Sequence, residues 1–255
     1  MKLNKTFLKM VIFMAVLVIL MSISVSAAPP LPIPKIGLDI STADNPEDVA
    51  LSIQILFLLT ILSLAPALLI MMTSFTRIII VLSFTRNALG TQQMPPNQVL
   101  IGLALFITFF IMSPVITNIN VNAFEPYQRG EITQEVAITK AMDPIREFML
   151  KNVKEKDLAL FLNLSQTEQP IKSSDIPTTA LIPAFIISEL KTAFIIGFYL
   201  YIPFIMIDMV VASTLMSMGM MMLPPVMISL PFKLLLFVMV DGWNLVVKSL
   251  VMSFN

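Results

Sequence analysis

Met216-Ser-Met-Gly-Met-Met-Met-Leu-Pro-Pro-Val-Met-Ile-Ser-Leu-Pro-Phe-Lys233 joins two long apolar segments near the end of a 255-residue chain. It holds six methionines, three prolines, one glycine and a single charge. Connectors usually carry Gly, Asn, Asp and Ser, which suit turn geometry and water. This one is apolar and soft, because methionine has three rotatable bonds and repacks readily. Pro224-Pro225 forces the backbone out of a helix. Non-helical backbone near a membrane is tolerated only where protein buries it or where it lines a cavity. Two readings follow: a deformable plug beside a pore or interface, or an ordinary short hairpin between two membrane helices.

Composition makes the setting a membrane. Hydrophobic residues are 57% of the chain and charged residues 13%, against about 25% charged in soluble domains. The predicted fold class is an all-α integral membrane protein with four long, partly kinked apolar helices. Zero formal net charge leaves no footprint for nucleic acid. With no cysteine and no histidine, thiol chemistry, disulfides, Cys/His zinc sites and a Ser-His-Asp triad all fall away. No cofactor is expected. An intramembrane protease would need a paired-carboxylate or Ser-based site, for which Asp208 and Asp241 are candidates only by default.

Outward from that stretch, the chain divides into five parts. Residues 1–27 read as a signal peptide: Lys2, Lys5 and Lys9, an apolar core from Val11 to Ile23, then small residues. Cleavage after Ser26 or Ala27 fits, and an uncleaved first helix is the alternative. Residues 28–50 form an acidic, proline-rich linker on the outer side. Residues 51–119 form a first helical hairpin, with Leu51–Met72 and Val99–Ile119 each long enough to span at roughly 20 residues. Pro66 and Pro114 are expected to bend them. The connecting stretch 73–98 carries Arg77 and Arg86 and no acid, so the positive-inside rule makes it a cytoplasmic-side loop. Nine residues apart, the two arginines fall on opposite helix faces, which favours separate anchoring over one clamp.

Residues 120–180 are the long polar stretch, with nine acids and seven bases. Thr133–Lys140 reads as helical, and Asp143-Pro144 as a helix start. Ile145, Phe148, Met149 and Val153 recur at helical spacing. This is the expected small helical segment on the periplasmic side, either a docking surface or a cover over the membrane helices. Residues 181–255 form a second helical hairpin around the Met-rich loop 216–225. Pro203 is a predicted hinge in its first arm, as Pro224 and Pro225 are at the loop. In its second arm Lys233, Asn244, Lys248 and Asp241 fall within roughly 80° on a single helical wheel, a polar stripe.

A charge at mid-membrane costs about 2.5–3.5 kcal/mol even on the lenient insertion scale. The ionisable groups of the last two segments must therefore face protein or water. In a simple hairpin about Gly219, Asp208 and Lys233 lie eleven and fourteen residues from the tip and meet within one chain. Glu189 lies thirty residues away, so a Glu189–Lys233 contact would need a neighbouring subunit. Structural ion pairing and ion passage are the two readings. Broken helices with midplane charges also occur in ion-coupled small-solute transporters, the alternative function. That class expects inverted repeats, and none is convincing here.

Three long motifs resemble one family. Pro183-Ala-Phe-Ile-Ile-Ser-Glu-Leu-Lys-Thr-Ala-Phe-Ile-Ile-Gly-Phe198 and Leu223-Pro-Pro-Val-Met-Ile-Ser-Leu-Pro-Phe-Lys-Leu-Leu-Leu-Phe-Val-Met-Val-Asp-Gly-Trp243 resemble the signatures of the FliP family of flagellar type III export-gate proteins. Phe84-Thr-Arg-Asn-Ala-Leu-Gly-Thr-Gln-Gln-Met-Pro-Pro-Asn-Gln98 resembles its inner loop. Ile195 departs from the polar residue expected there in many relatives. The resemblance, over about 50 to 255, implies a non-enzymatic pore subunit: a pentamer that builds a helical tower with FliQ and FliR, meets FlhA and FlhB, and passes unfolded flagellar proteins. It implies the bacterial inner membrane and the flagellar basal body, contact with membrane lipid, and a part projecting to the periplasmic side. The family's methionine gasket corresponds to Met220, Met221 and Met222, beside Met218. Its subunit-to-subunit ion pair corresponds to Glu189 and Lys233.

Overall fold

The computed structural model describes residues 46–91, 93–165, 175–220 and 222–254. The expected signal peptide, the linker as far as residue 45, and Met221 lie outside the described residues. The chain divides into two units, Met1–Gln54 and Ile55–Asn255. Of the first, the described part is helical. Among the described residues every regular element is a helix.

Helix α1 (Pro46–Met71) begins inside the expected linker and continues through Pro66. Its stretch Ser52–Met71 is apolar on every side and buries nothing against the chain, the pattern of a membrane span. Helix α2 (Phe75–Leu89) follows after a short turn. The stretch 73–98, expected as a loop, thus holds a 15-residue helix. It lies at the centre of the main core. Ile78, Val81, Leu82, Ala88 and Leu89 pack with Leu100, Ala104 and Ile107 of helix α3 (Asn97–Ile119), and with Ala193 and Phe204 further along the chain. Arginines at both ends of α2 disguise it as a polar connector. Its burial becomes affordable to the fold only because Arg77 meets a carboxylate, a tertiary fact.

Helix α3 passes through Pro114 and runs into a π-helical turn, Asn120–Phe124, and the short helix α4 (Glu125–Gln128). Helices α5 (Gln134–Asn152) and α6 (Glu155–Leu164) come next. The expected helix start at Asp143-Pro144 is not used: α5 begins ten residues earlier and carries Pro144 inside it. One backbone hydrogen bond is lost there, while the proline ring is buried. The apolar repeat anticipated for this segment does form a core. Met149, with Ile145, Phe148, Val153 and Leu158, packs with Met72, Ile176, Leu181 and Phe185.

Helix α7 (Thr178–Ser217) is 40 residues long and is continuous through Pro183 and Pro203. At 1.5 Å per residue it measures about 60 Å, roughly twice the hydrocarbon thickness of a bilayer. Pro203 therefore does not break the helix, unlike Pro224 and Pro225, which lie where the chain turns. Helix α8 (Pro225–Met239) is separated by a 63° bend from helix α9 (Gly242–Met252). The single-axis polar stripe of the last segment is corrected by this bend. Lys233 is buried on α8, whereas Asp241, Asn244 and Lys248 are exposed beyond the break. Asp241 takes a left-handed conformation, φ +50°, which a wheel drawn on one axis cannot represent. Three helices, α1, the α3–α4 run and α7, are long and apolar enough to cross a membrane, and the bent α8–α9 pair counts as a fourth if taken together.

Candidate functional site

The turn from α7 to α8 is built by a glycine at one end and prolines at the other. Met220 N donates to Leu215 O (3.0 Å) and Gly219 N to Met216 O (3.0 Å). With Gly219 at φ +78°, this is a Schellman cap, in which a left-handed residue satisfies the last carbonyls of a helix. Pro224 then precedes α8 and Pro225 is its first residue, where a missing N–H removes no helical bond. Both ends of the turn are thus set by local chemistry. Between them the described side chains face outward. Met222 is 99% exposed, and Met216, Met218, Met220 and Leu223 are exposed as well. Met218 also borders an apolar groove of about 560 Å³ with Val210, Val211, Leu215, Ile228 and Phe232.

A charged cluster lies behind the turn. Lys233 Nζ on α8 donates to Asp208 Oδ2 on α7 at 2.6 Å, and Ser229 Oγ donates to Asp208 Oδ1 at 2.5 Å. Lys233 is buried and Asp208 is 30% exposed. The ammonium also approaches Gly90, whose added Cβ would stand 3.9 Å from Nζ. The left-handed Gly90 ends α2, so three helices converge on one lysine.

Glu189 lies elsewhere, fully buried, and its partner is Arg77 of the same chain. Arg77 Nε donates to Glu189 Oε2 at 2.9 Å, and Nη2 donates to Oε1. Arg77 Nη1 donates to both the carbonyl and the hydroxyl of Ser253, each at 2.8 Å. The guanidinium carbon stands 3.7 Å from the ring centroid of Phe254. Arginine's planar fork suits this geometry, taking a carboxylate by two bonds while stacking on a ring. Within the chain the structure brings Asp208 to Lys233 and Glu189 to Arg77, and does not bring Glu189 to Lys233.

A third cluster escaped sequence reasoning. Asp157, near the start of α6, accepts from Ser188 Oγ (2.9 Å) and from Lys191 Nζ. Ser188 Oγ in turn accepts from Lys154 N at 2.9 Å. The Lys191 hydrogen bond holds the Asp157 carboxyl below the usual carboxylate range, against the opposing effect of burial, helped by Ser188 and by the charges of Lys191 and Lys154. Arg77 and Asp157 left one signal in the sequence. Glu189 and Lys191 are isolated charges in an apolar segment, and each must find an opposite charge from outside it. Spacing alone cannot say which.

These acids are each matched by a base, and among the described residues no group of three His, Cys, Asp or Glu side chains could hold a metal. The arrangement is an apolar, methionine-bearing turn on a scaffold of internally neutralised charges.

Comparison with known proteins agrees along most of the chain. The model of the FliP family matches residues 58–250. The chain is 61% identical over 217 residues to the flagellar biosynthetic protein FliP of Bacillus subtilis, covering 85% of this chain and 98% of that protein. It is 58% identical over 204 residues to that of Pectobacterium carotovorum, covering 80% of this chain and 79% of the relative. The protein of the same name from Aquifex aeolicus is 53% identical over 206 residues, 80% of this chain and 86% of the relative. The family match runs through the turn between α7 and α8 and the paired charges behind it, and with relatives at that level of identity the chain belongs to the FliP family.

Proposed function

We propose that this protein is a non-enzymatic subunit of the flagellar protein-export apparatus. In this reading several copies, five by family resemblance, surround a channel in the bacterial inner membrane together with FliQ and FliR. FlhA and FlhB lie nearby, and unfolded flagellar proteins are the cargo. Flagellar biosynthesis is what the relatives' names record. The observation that carries the pore reading is the exposed turn that ends a 40-residue apolar helix, with Met216, Met218, Met220 and Met222 turned outward. Met218, Met220, Met221 and Met222 form the gasket in this reading. Thioether side chains exchange rotamers easily, so a ring of them can close around nothing and yield to a passing chain. The length of α7 supports a tower that rises beyond the bilayer on the periplasmic side.

The test is conductance. Replacing Met220, Met221 and Met222 with alanine in the assembled complex, reconstituted in liposomes, should raise ion or small-dye leakage at least about tenfold, because each change removes an unbranched apolar chain from the seal. A complex of normal yield that stays as tight as the wild type would overturn the gasket.

A further inference from the structure

We propose that Arg86 of one copy forms an ion pair with Asp241 of the next, a contact that joins the copies into a ring. This pairing rests on the several-copy reading above.

The charges of α2, α3 and α7–α9 are few, and most are matched inside the chain. The pairs Arg77–Glu189, Lys191–Asp157 and Lys233–Asp208 leave Arg86, Asp241 and Lys248 without an opposite charge among the described residues. Arg86 is half-buried near the end of α2. Its Nη1 donates to Asn97 Oδ1 at 2.6 Å and to Pro95 O at 3.3 Å, both neutral acceptors. Its Nε is buried and makes no hydrogen bond among the described residues. Asp241 is exposed at the α8–α9 bend. It stands where a carboxylate can cap a helix, yet its side chain makes no capping bond to α9. Val238, Met239, Val240 and Leu245 near it in sequence are exposed and apolar. A bare carboxylate on such a surface is costly in lipid, and a buried donor without an acceptor is costly anywhere.

Helix register puts the two charges at one level. Helix α2 runs parallel to α7: Arg77 meets Glu189, Phe84 meets Phe194 with ring centroids 5.4 Å apart, and Tyr201 Oη donates to Asn87 O at 3.4 Å. Arg86 therefore stands level with about Tyr199. Helix α8 runs antiparallel to α7: Lys233 meets Asp208, and Phe237 meets Phe204 with ring centroids 6.3 Å apart. One turn farther, Asp241 stands level with about Leu200. The difference is a single residue, a rise of about 1.5 Å. Rotation about an axis along α7 carries one copy onto the next with no rise, so complementary charges across a head-to-tail ring interface must share a level. Arg86 and Asp241 meet that condition, and they do not pair within one chain. Lys248 does not meet it, because α9 carries it toward Ser253, which is bonded to Arg77 at the opposite end of α2. A lipid phosphate could neutralise Arg86 but would leave Asp241 bare, which favours a second copy over a headgroup.

The experiment uses the full-length chain in its assembled complex. The chain has no cysteine, so Arg86→Cys and Asp241→Cys each introduce its only thiol. Copies of the two variants, carrying different tags, are co-expressed and treated with a bis-maleimide. Its spacer exceeds the roughly 4 Å between the Cβ atoms of a disulfide, because an Arg–Asp pair holds its Cβ atoms farther apart. Links between differently tagged copies should form at least about tenfold more often than when Lys248→Cys replaces Asp241→Cys, as proximity dictates. Charge reversal is the second readout. Arg86→Asp and Asp241→Arg should each cut the ring yield in native mass spectrometry by about tenfold, since each sets like charges together, and the two in one chain should restore it. A ring of normal yield in which Arg86→Cys links to Lys248→Cys, or only to Asp241→Cys of its own chain, overturns the pair and leaves the several-copy reading standing. A ring lost in Arg86→Asp, repaired by anionic lipid and not by Asp241→Arg, assigns Arg86 to a headgroup and overturns the pair as well. An unaltered chain that forms no ring overturns both.

Discussion

Arg77 holds three parts of the chain with one side chain: the carboxylate of α7, the backbone and hydroxyl of Ser253, and the ring of Phe254. Both charges of its pair with Glu189 are buried. Removing one partner of such a pair strands the other, which costs about 3–5 kcal/mol, whereas replacing both by apolar groups of similar volume is often neutral. Arg77→Ala and Glu189→Ala should each lower thermal stability in detergent by that order. Arg77→Met with Glu189→Leu should recover much of the loss, and a double variant as unstable as either single one would show that the bonds to Ser253 matter more than the ion pair. Asp157 sets a second residue-level prediction. Its folded pKa is depressed, so its stabilising contribution is in place above the unfolded value and is lost as pH falls through the folded one. Acidification from about pH 5 to pH 2 should therefore reduce hydrogen-exchange protection of α6. Asp157→Asn should remove that part of the pH dependence; an identical acid profile in the variant would assign the loss to other groups.

At the level of elements, the bend between α8 and α9 is held by packing as well as by Asp241. A Cβ on Gly242 would stand 2.3 Å from Phe237 Cδ2, so the ring occupies space that only glycine leaves open. Trp243 meets the same ring edge-on at 5.3 Å between centroids. Gly242→Ala should destabilise by about 1–3 kcal/mol, the usual range for overpacking. Adding Phe237→Leu should recover part of it, because the two changes share one volume. Additive losses, measured by thermal unfolding of both single variants and the double, would mean that the bend does not depend on this contact. The turn between α7 and α8 obeys a more local logic. Its glycine cap and its prolines both act on the backbone, so its position is written in adjacent residues, while Met220 and Met222 between them are exposed.

On the scale of the whole molecule, the exposed surface is its most informative property. Leu56, Phe57 and Leu62 on α1, Phe106, Phe109 and Phe110 on α3, and Met206, Met209 and Val210 on α7 are all exposed. Exposed apolar side chains in this number mark contact with lipid or with other chains. Helix α7 is too long to be covered by a bilayer alone, so protein neighbours are expected over part of it. Native mass spectrometry in mild detergent should detect a ring of several copies that captures FliQ and FliR when co-expressed. A monomer or dimer indifferent to both would overturn the channel reading, and with it the arrangement of the methionine turns into a ring.

Apolar composition, the missing cysteine and histidine, the long apolar runs and the turn at Gly219 through Pro225 were determined by the sequence itself. Each depends on residues within a few positions of one another or on the total count. The apolar repeat in α5 was legible for the same reason. Helix α2 was not, because its two arginines look like a polar loop until Glu189 is brought to Arg77 from 112 residues away. The start of α5 and the passage of α7 through Pro203 were misjudged because packing tolerates a proline that local rules reject. The polar stripe failed at Asp241, where one left-handed residue redirects everything after it. Which charge meets which was decided only by tertiary structure. A buried ion requires an opposite charge, and that requirement says nothing about the distance along the chain from which it comes.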